Sequence, residues 1–219
     1  TNIVSSSFDN SVGMYLFCGS INEYPPIKFR HEDCVWDGLP SANDRYVGVA
    51  KRVGEMQAEA YSKQFDSDIV KIIRPSNVYG PFDNFDERNA MVIPSLISKA
   101  LSCDHLFEVW GDGSPIRDFI HVMDLADAHI EAINYLFANT PEVLNLNIGT
   151  GLGTSVLDLV KTFIDVNQVD IPFVFTNRRK GDLEGLCADP EYANNFLNWK
   201  AQYDLEKMCL DSWNCKDKH

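Results

Sequence analysis

The sequence predicts an α/β fold, and three observations carry the prediction. Short apolar runs of strand length alternate with helical patterns, turn-forming residues separate them, and 45% hydrophobic against 23% charged residues is the balance of a chain that buries a core. The first residues read as part of a helix or its approach. Met14 to Cys18 is then a strand candidate, followed by a turn-rich loop from Tyr24 to Asn43. From Tyr46 to Phe65, Val49, Val53, Met56 and Ala60 recur at three- and four-residue spacing, which lays one apolar stripe along a helix. Asp68 to Ile73 reads as a buried strand. Met91 to Leu101 reads as a helix with Pro94 tolerated in its first turn, and Phe107 to Trp110 as a strand. Leu125, His129, Ile130, Ile133 and Phe137 form the expected buried face of a further helix, so His129 is read as packed rather than catalytic. Val143 to Asn147 gives another strand. Ser155 before Val156, Leu159, Val160 and Phe163, with Asp158 three residues on, reads as a capped helix start.

The 219 residues carry 32 acidic and 19 basic side chains, a net charge of -13 that repels polyanions and anionic membrane surfaces. Neither nucleic acid nor membrane is expected as a partner. A small anionic ligand stays compatible, because it answers to local donors such as Lys99, Arg117 and the Arg178-Arg179-Lys180 cluster. The six cysteines show no CxxC pair or metal-ligand rhythm, so reduced thiols, no metal and a cytoplasmic location are expected. No apolar run approaches the roughly 20 residues that span a bilayer. Thr1 stands where an initiator Met would, and the chain reads as a fragment.

The run Gly149-Thr150-Gly151-Leu152-Gly153 lies between a strand and a helix, where a phosphate cradle would sit. It is neither GxGxxG nor a P-loop, and it is read as a tight structural turn.

Four further features come in a fixed order. They are Arg74-Pro75-Ser76-Asn77-Val78-Tyr79-Gly80-Pro81-Phe82-Asp83-Asn84-Phe85; Val92-Ile93-Pro94; Val109-Trp110-Gly111-Asp112-Gly113 through Arg117-Asp118-Phe119-Ile120-His121-Val122; and Asn147-Ile148-Gly149-Thr150-Gly151. Together they resemble the extended short-chain dehydrogenases/reductases of the NAD-dependent epimerase/dehydratase family, more closely its GDP-L-fucose synthase branch. The resemblance covers nearly the whole chain. It implies a Rossmann-like doubly wound parallel sheet of which this chain is the C-terminal part, with a smaller α/β substrate-binding domain. Residues 1–80 would complete the Rossmann-like domain, and 81–219 would be mostly substrate-binding, with segments near 107–147 returning to the sheet. The N-terminal cofactor-binding part is expected to lie outside the chain. The resemblance also implies NAD or NADP as cofactor, a nucleotide-diphosphate sugar as substrate, a homodimer, and epimerase or 4-keto reductase chemistry. The rival implication is a catalytically silent relative that binds nucleotide sugar or assists assembly.

Hydride chemistry at a sugar carbon needs a hydroxyl donor tuned by a nearby cation. On the family pattern, Ser20 is the catalytic serine, and Lys51 holds the nicotinamide ribose and lowers the pKa of a tyrosine four residues before it. That position is Val47; the nearby phenol is Tyr46, five residues before Lys51. A helical i,i+5 pair is offset by about 140°, against about 40° for i,i+4. Tyr46 is therefore a candidate only if the helix begins irregularly, and otherwise Tyr24 or a water must act. Pro75 would border the nicotinamide. Asn77, Lys99 and Arg117 would hold the sugar diphosphate, with an Arg117 ion pair to Asp118 or Asp124 as the plain structural alternative. Trp110 is core or ligand wall. Asn22 and Met91 occupy the places of the fucose synthases' Cys and His, which disfavours a 3,5-epimerase step. Ile21 and Asn22 after Ser20 likewise disfavour a dehydratase.

Overall fold

The computed structural model describes residues 2–67, 70–86, 90–102, 106–139 and 144–215. In chain order the elements are α1 (Asn2–Asp9), β1 (Tyr15–Cys18), β2 (Phe29–Arg30), α2 (Arg45–Gln64), β3 (Val70–Pro75), β4 (Asn77–Tyr79), α3 (Val92–Leu101), β5 (Phe107–Trp110), β6 (Ile116–His121), α4 (Val122–Ala138), β7 (Leu144–Ile148), β8 (Gly153–Ser155), α5 (Val156–Asn167), β9 (Phe173–Thr176), β10 (Gly185–Ala188), α6 (Glu191–Leu197) and α7 (Leu205–Asn214).

The expected α/β class is observed. β1, β3 and β7 form a parallel three-stranded sheet with β3 in the centre. Parallel strands need crossover connections, and α2 supplies the one between β1 and β3. A second sheet runs β2-β10-β6-β4, with β8 antiparallel on β6, and β5 pairs in parallel with β9. Within 107–147, β7 therefore pairs with β3, while β5 and β6 belong to the other two sheets. β3 is described over Val70–Pro75, within the expected strand, and Asp68, Ile69 and Val143 lie outside the described residues. Both faces of β3 are buried, as a central parallel strand requires.

Two expected helix faces are corrected. On α4 the buried row is Asp124, Ala128 and Ala132, whereas Ile130 and Phe137 face solvent. The small alanines let α4 lie close against Ile73, Ile120, Leu146 and Ala193, an approach that an isoleucine row would prevent. His129 is half-buried, with Nδ1 2.7 Å from the Leu125 carbonyl oxygen. On α2 the apolar stripe is at the surface: Val49, Val53 and Met56 are exposed, and the buried row is Gly48, Arg52, Glu55 and Ala58.

The largest core joins α3, α5, α7 and β5 through Ile93, Leu96, Phe107, Leu159, Phe163 and Met208. Ser155 caps α5 as expected: its Oγ accepts from the Asp158 amide at 3.0 Å and donates to Oδ2 of Asp158 at 2.6 Å. Cys18, Cys34, Cys187, Cys209 and Cys215 are free thiols, and Cys103 lies outside the described residues. Among the described residues, no helix is long and apolar enough to cross a membrane.

Candidate active site

The parallel pairing of β1 with β3 ends where Gly19 N donates to the Ile73 carbonyl at 2.7 Å. The chain then turns at Ser20 into a single 3-10 turn, Ile21–Glu23. Ser20 Oγ accepts from the Asn22 amide at 3.2 Å, and Glu23 Oε1 accepts from the Ser20 amide at 2.7 Å, which closes a capping box. Ser20 Oγ is thus an acceptor inside the turn, and its own proton is left to donate outward. The Lys51 ammonium, one face of α2 away, donates to the Cys18 carbonyl at 2.7 Å. Pro75 ends β3 beside them. Ser20, Lys51 and Pro75 therefore converge on the carboxyl edge of the parallel strands, where open α/β sheets place their ligands.

Tyr46 does not join them. α2 is regular from Arg45, with Gly48 N donating to the Asp44 carbonyl at 2.7 Å, and the Tyr46 side chain is 86% exposed. Val47, on the turn below Lys51, is 56% exposed. Tyr24 is no substitute. It is fully buried, its hydroxyl donates to Asn147 Oδ1 at 2.7 Å, and burial pushes its pKa well above that of an ordinary phenol.

Beneath Ser20 lies a buried charged network that sequence reasoning did not anticipate. Arg74 grips Glu55 with two bonds, Nε to Oε1 at 2.8 Å and Nη2 to Oε2 at 2.7 Å, and its Nε is 3.6 Å from Glu23 Oε2. All three side chains are buried. Desolvation first, then the neighbouring Glu55, pushes the Glu23 carboxyl up to about 8, while Arg74 and the Ser20 amide pull the other way. Arg74 Nη1 also reaches the Tyr24 hydroxyl at 3.4 Å. Glu32 accepts from the Asn147 amide at 2.7 Å, tying β7 to the same network. One signal was present in the sequence, since Glu55 lies four residues after Lys51 on the same helical side.

Asn77, Lys99 and Arg117 do come together. They line a cavity of about 640 Å³ between β4, β5, β6 and α3, with Met91, Trp110 and Arg179 among its other walls. Its three cations, Lys99, Arg117 and Arg179, face two acids, Glu108 and Asp182, so the cavity is locally positive in a chain of charge -13. Asn77 Nδ2 donates to the Asp118 carbonyl at 2.9 Å. The partner of Arg117 is Asp182, at 2.5 Å from Nη2, rather than Asp118 or Asp124, and Nη1 donates to the Leu183 carbonyl at 3.1 Å. The Arg179 guanidinium lies 4.6 Å from the Trp110 ring centroid, so Trp110 is wall rather than core.

The glycine turn is structural. Asp118, buried at the centre of β6, accepts from Thr150 N at 3.0 Å, Thr150 Oγ1 at 2.6 Å, Gly151 N at 3.2 Å and Ala188 N at 3.3 Å. A Cβ at Gly149 would stand 2.4 Å from Asp118 Oδ2, and Gly151 has a φ of +72°. The amides that a phosphate would need are already taken by a carboxylate. Among the described residues there is no group of three His, Cys, Asp or Glu side chains fit for a metal ion.

Comparison with known proteins shows the family and the fold. Over 110 residues the chain is 46% identical to a UDP-glucose 4-epimerase of Cyamopsis tetragonoloba, 49% of this chain and 31% of that protein. Over 200 residues it is 34% identical to UDP-glucose 4-epimerase 3 of Oryza sativa subsp. japonica, 85% of this chain and 53% of that protein. The chain thus spans a third to a half of these curated relatives. Among solved structures, UDP-glucose-4-epimerase from Stenotrophomonas maltophila, with bound NAD and formylated UDP-arabinopyranose, superimposes with a TM-score of 0.83 at 27% identity, over 99% of this chain and 67% of that one. None of these three is a GDP-L-fucose synthase, so the narrower likeness is not carried by them. The fold is the Rossmann-like epimerase fold that the motifs implied. The family model for the NAD dependent epimerase/dehydratase family matches residues 1–149, more than half of the chain, and the chain belongs to that family.

Proposed function

We propose that this chain is part of an NAD-dependent nucleotide-sugar 4-epimerase acting on a UDP-linked sugar. The observation that carries the reading is Asn77, which lines the cationic cavity and stands two residues beyond Pro75, the end of the strand paired with β1, whose Cys18 carbonyl accepts from Lys51. A diphosphate on Arg117 and Lys99 would place its sugar toward that edge. Arg117 is suited to it, because a guanidinium fork matches phosphate oxygens and Asp182 holds it oriented.

The residues present fit the nicotinamide end of a dinucleotide: an ammonium, a hydroxyl and a proline at the carboxyl edge of parallel strands. Lys51 and Pro75 would hold that end. The pyrophosphate end is not served by the glycine turn, whose amides bind Asp118. Bound NAD would supply the acceptor and donor for a hydride from a sugar carbon. Ser20 would hydrogen-bond the sugar oxygen, and the Lys51 charge would stabilise the group that takes the hydroxyl proton as the hydride leaves and gives it back as the hydride returns. The fucose-synthase variant is less favoured, with Asn22 and Met91 where that branch carries the acid and base of its 3,5-epimerisation. On this reading residues 1–80 serve the cofactor side and 81–219 mostly the nucleotide sugar, with β7 returning to the first sheet. A homodimer would bury the exposed row Val49, Val53 and Met56 of α2.

A second reading, a catalytically silent relative that binds nucleotide sugar, is favoured by the solvent-facing Tyr46. One experiment separates them: the whole protein, given UDP-glucose and NAD, is assayed for UDP-galactose. Conversion supports the epimerase; UDP-glucose binding without conversion supports the silent relative; neither overturns both.

A further inference from the structure

Glu23 and Glu55 are two carboxyl groups buried together behind Gly19, and among the described residues one guanidinium, that of Arg74, faces them at bonding distance. Arg74 gives both of its short bonds to Glu55. Glu23 is left with the Ser20 amide on Oε1, while its Oε2 accepts no hydrogen bond among the described residues. A bare carboxylate there would be desolvated, half unsatisfied and beside a like charge. As the neutral acid it would instead donate to Glu55 and still accept from Ser20. The other groups facing it are Cys18 on β1, Arg52 on α2, and Arg74 on β3, which also touches Tyr24.

We infer that Glu23 is a positioning residue for Ser20: as a neutral acid bonded to Glu55, it anchors the Ser20 amide and fixes the Ser20 hydroxyl at the carboxyl edge of β1. The catalytic part of this inference rests on the function proposed above; the anchoring part does not. The sequence alone hides it, because the carboxyl is buried only when the 3-10 turn folds against α2 and β3. Loss of the proton would leave two adjacent buried anions on one arginine and loosen the turn. The direction in which burial moves the Glu23 carboxyl agrees with this.

The test uses the ¹⁵N-labelled whole protein and its Glu23→Gln variant, whose amide mimics the neutral acid. Between pH 4 and 10 the Ser20 amide resonance should titrate in the parent with a midpoint above the ordinary carboxylate range and stay fixed in Glu23→Gln. A Ser20 resonance that titrates alike in both, or in neither, overturns the anchoring. In the whole protein, Glu23→Ala should lower kcat on the order of 10²-fold with the KM for the UDP-sugar little changed, and Gln should recover most of that loss. Anchoring in the spectra with equal kcat in parent and Glu23→Ala overturns the catalytic part. A parent without turnover overturns the function proposed above, while the spectra still decide the anchoring.

Discussion

Placing a tyrosine at position 47 should create or raise turnover in the whole protein. On a regular helix, residue 47 lies about 6 Å below Lys51 along the axis and only about 40° away around it, whereas residue 46 is about 140° away. α2 is regular at this point, and Tyr46 faces water accordingly. A phenol at 47 would lie over the same turn as the Lys51 ammonium, whose charge lowers its pKa and prepares it as an acid or base. A positioned proton donor contributes about 10²- to 10⁴-fold, roughly 3 to 5.5 kcal/mol of barrier. The substitution is sterically open because Val47 is half exposed, and a surface exchange of this kind costs within about 0.5 kcal/mol of stability. The assay is UDP-glucose epimerisation by the parent, Val47→Tyr and Tyr46→Phe. The expected order is a gain for Val47→Tyr and parent activity for Tyr46→Phe. Loss of activity in Tyr46→Phe, with none gained by Val47→Tyr, would refute the regular-helix argument and return Tyr46 to the site.

Arg117→Ala should weaken UDP binding by about 1.5 to 3 kcal/mol, measured by calorimetry, with no change for free sugar; equal affinities would make the Asp182 pair purely structural. Gly19→Ala should destabilise the chain by about 1 to 3 kcal/mol in urea unfolding, since its Cβ would stand 2.6 Å from Glu23 Oε1 and 2.7 Å from Glu55 Oε1; an unaltered midpoint would mean that the buried acids are loosely packed. His121 is buried, which is the largest influence depressing its pKa, against the opposing pull of Asp211 and Asp124. A base with a folded pKa below its unfolded value contributes stability that is complete above pH 6.5 and is lost as pH falls through the folded pKa. His121→Asn keeps an acceptor for the Met123 amide, so the gap in thermal midpoint between parent and variant should change below pH 6.5 and be constant above it. A gap independent of pH would show that His121 does not titrate on unfolding in this range.

What the sequence exposed and what it hid divide along physical lines. β5 was legible at both ends and α5 at its start, because turn residues and a capping serine act locally. β2, β4 and β8 are two or three residues long, too short for a period to register, and their pairing is set by distant partners. Asn77, Lys99 and Arg117 were singled out through motif order, and the cavity unites them. The partner of Arg117 was not legible, because Asp182 is 65 residues away in sequence while two nearer acids competed for it. The network of Glu23, Glu55 and Arg74 was hidden for the same reason: charged residues read as surface until the fold brings opposite charges together.

The inversion of α2 connects these points. A helix that packs only on a core carries its apolar stripe inward, yet here Arg52 and Glu55 are buried and Val49, Val53 and Met56 are exposed. The inward row makes sense if the helix serves the polar end of the sheet, where Glu55 holds Arg74 and Lys51 reaches Cys18. A buried guanidinium and two carboxyl groups carry a desolvation cost, and on the function proposed above that cost would be offset by fixing Ser20 before substrate arrives. The outward row then answers to a different surface. Three apolar side chains at helical spacing gain nothing from water, and a second copy of the same helix would bury them. Sedimentation of the parent and of Val53→Glu tests this. A dimer lost in the variant fits a face built for self-association, and a monomeric parent removes that explanation for the exposed stripe.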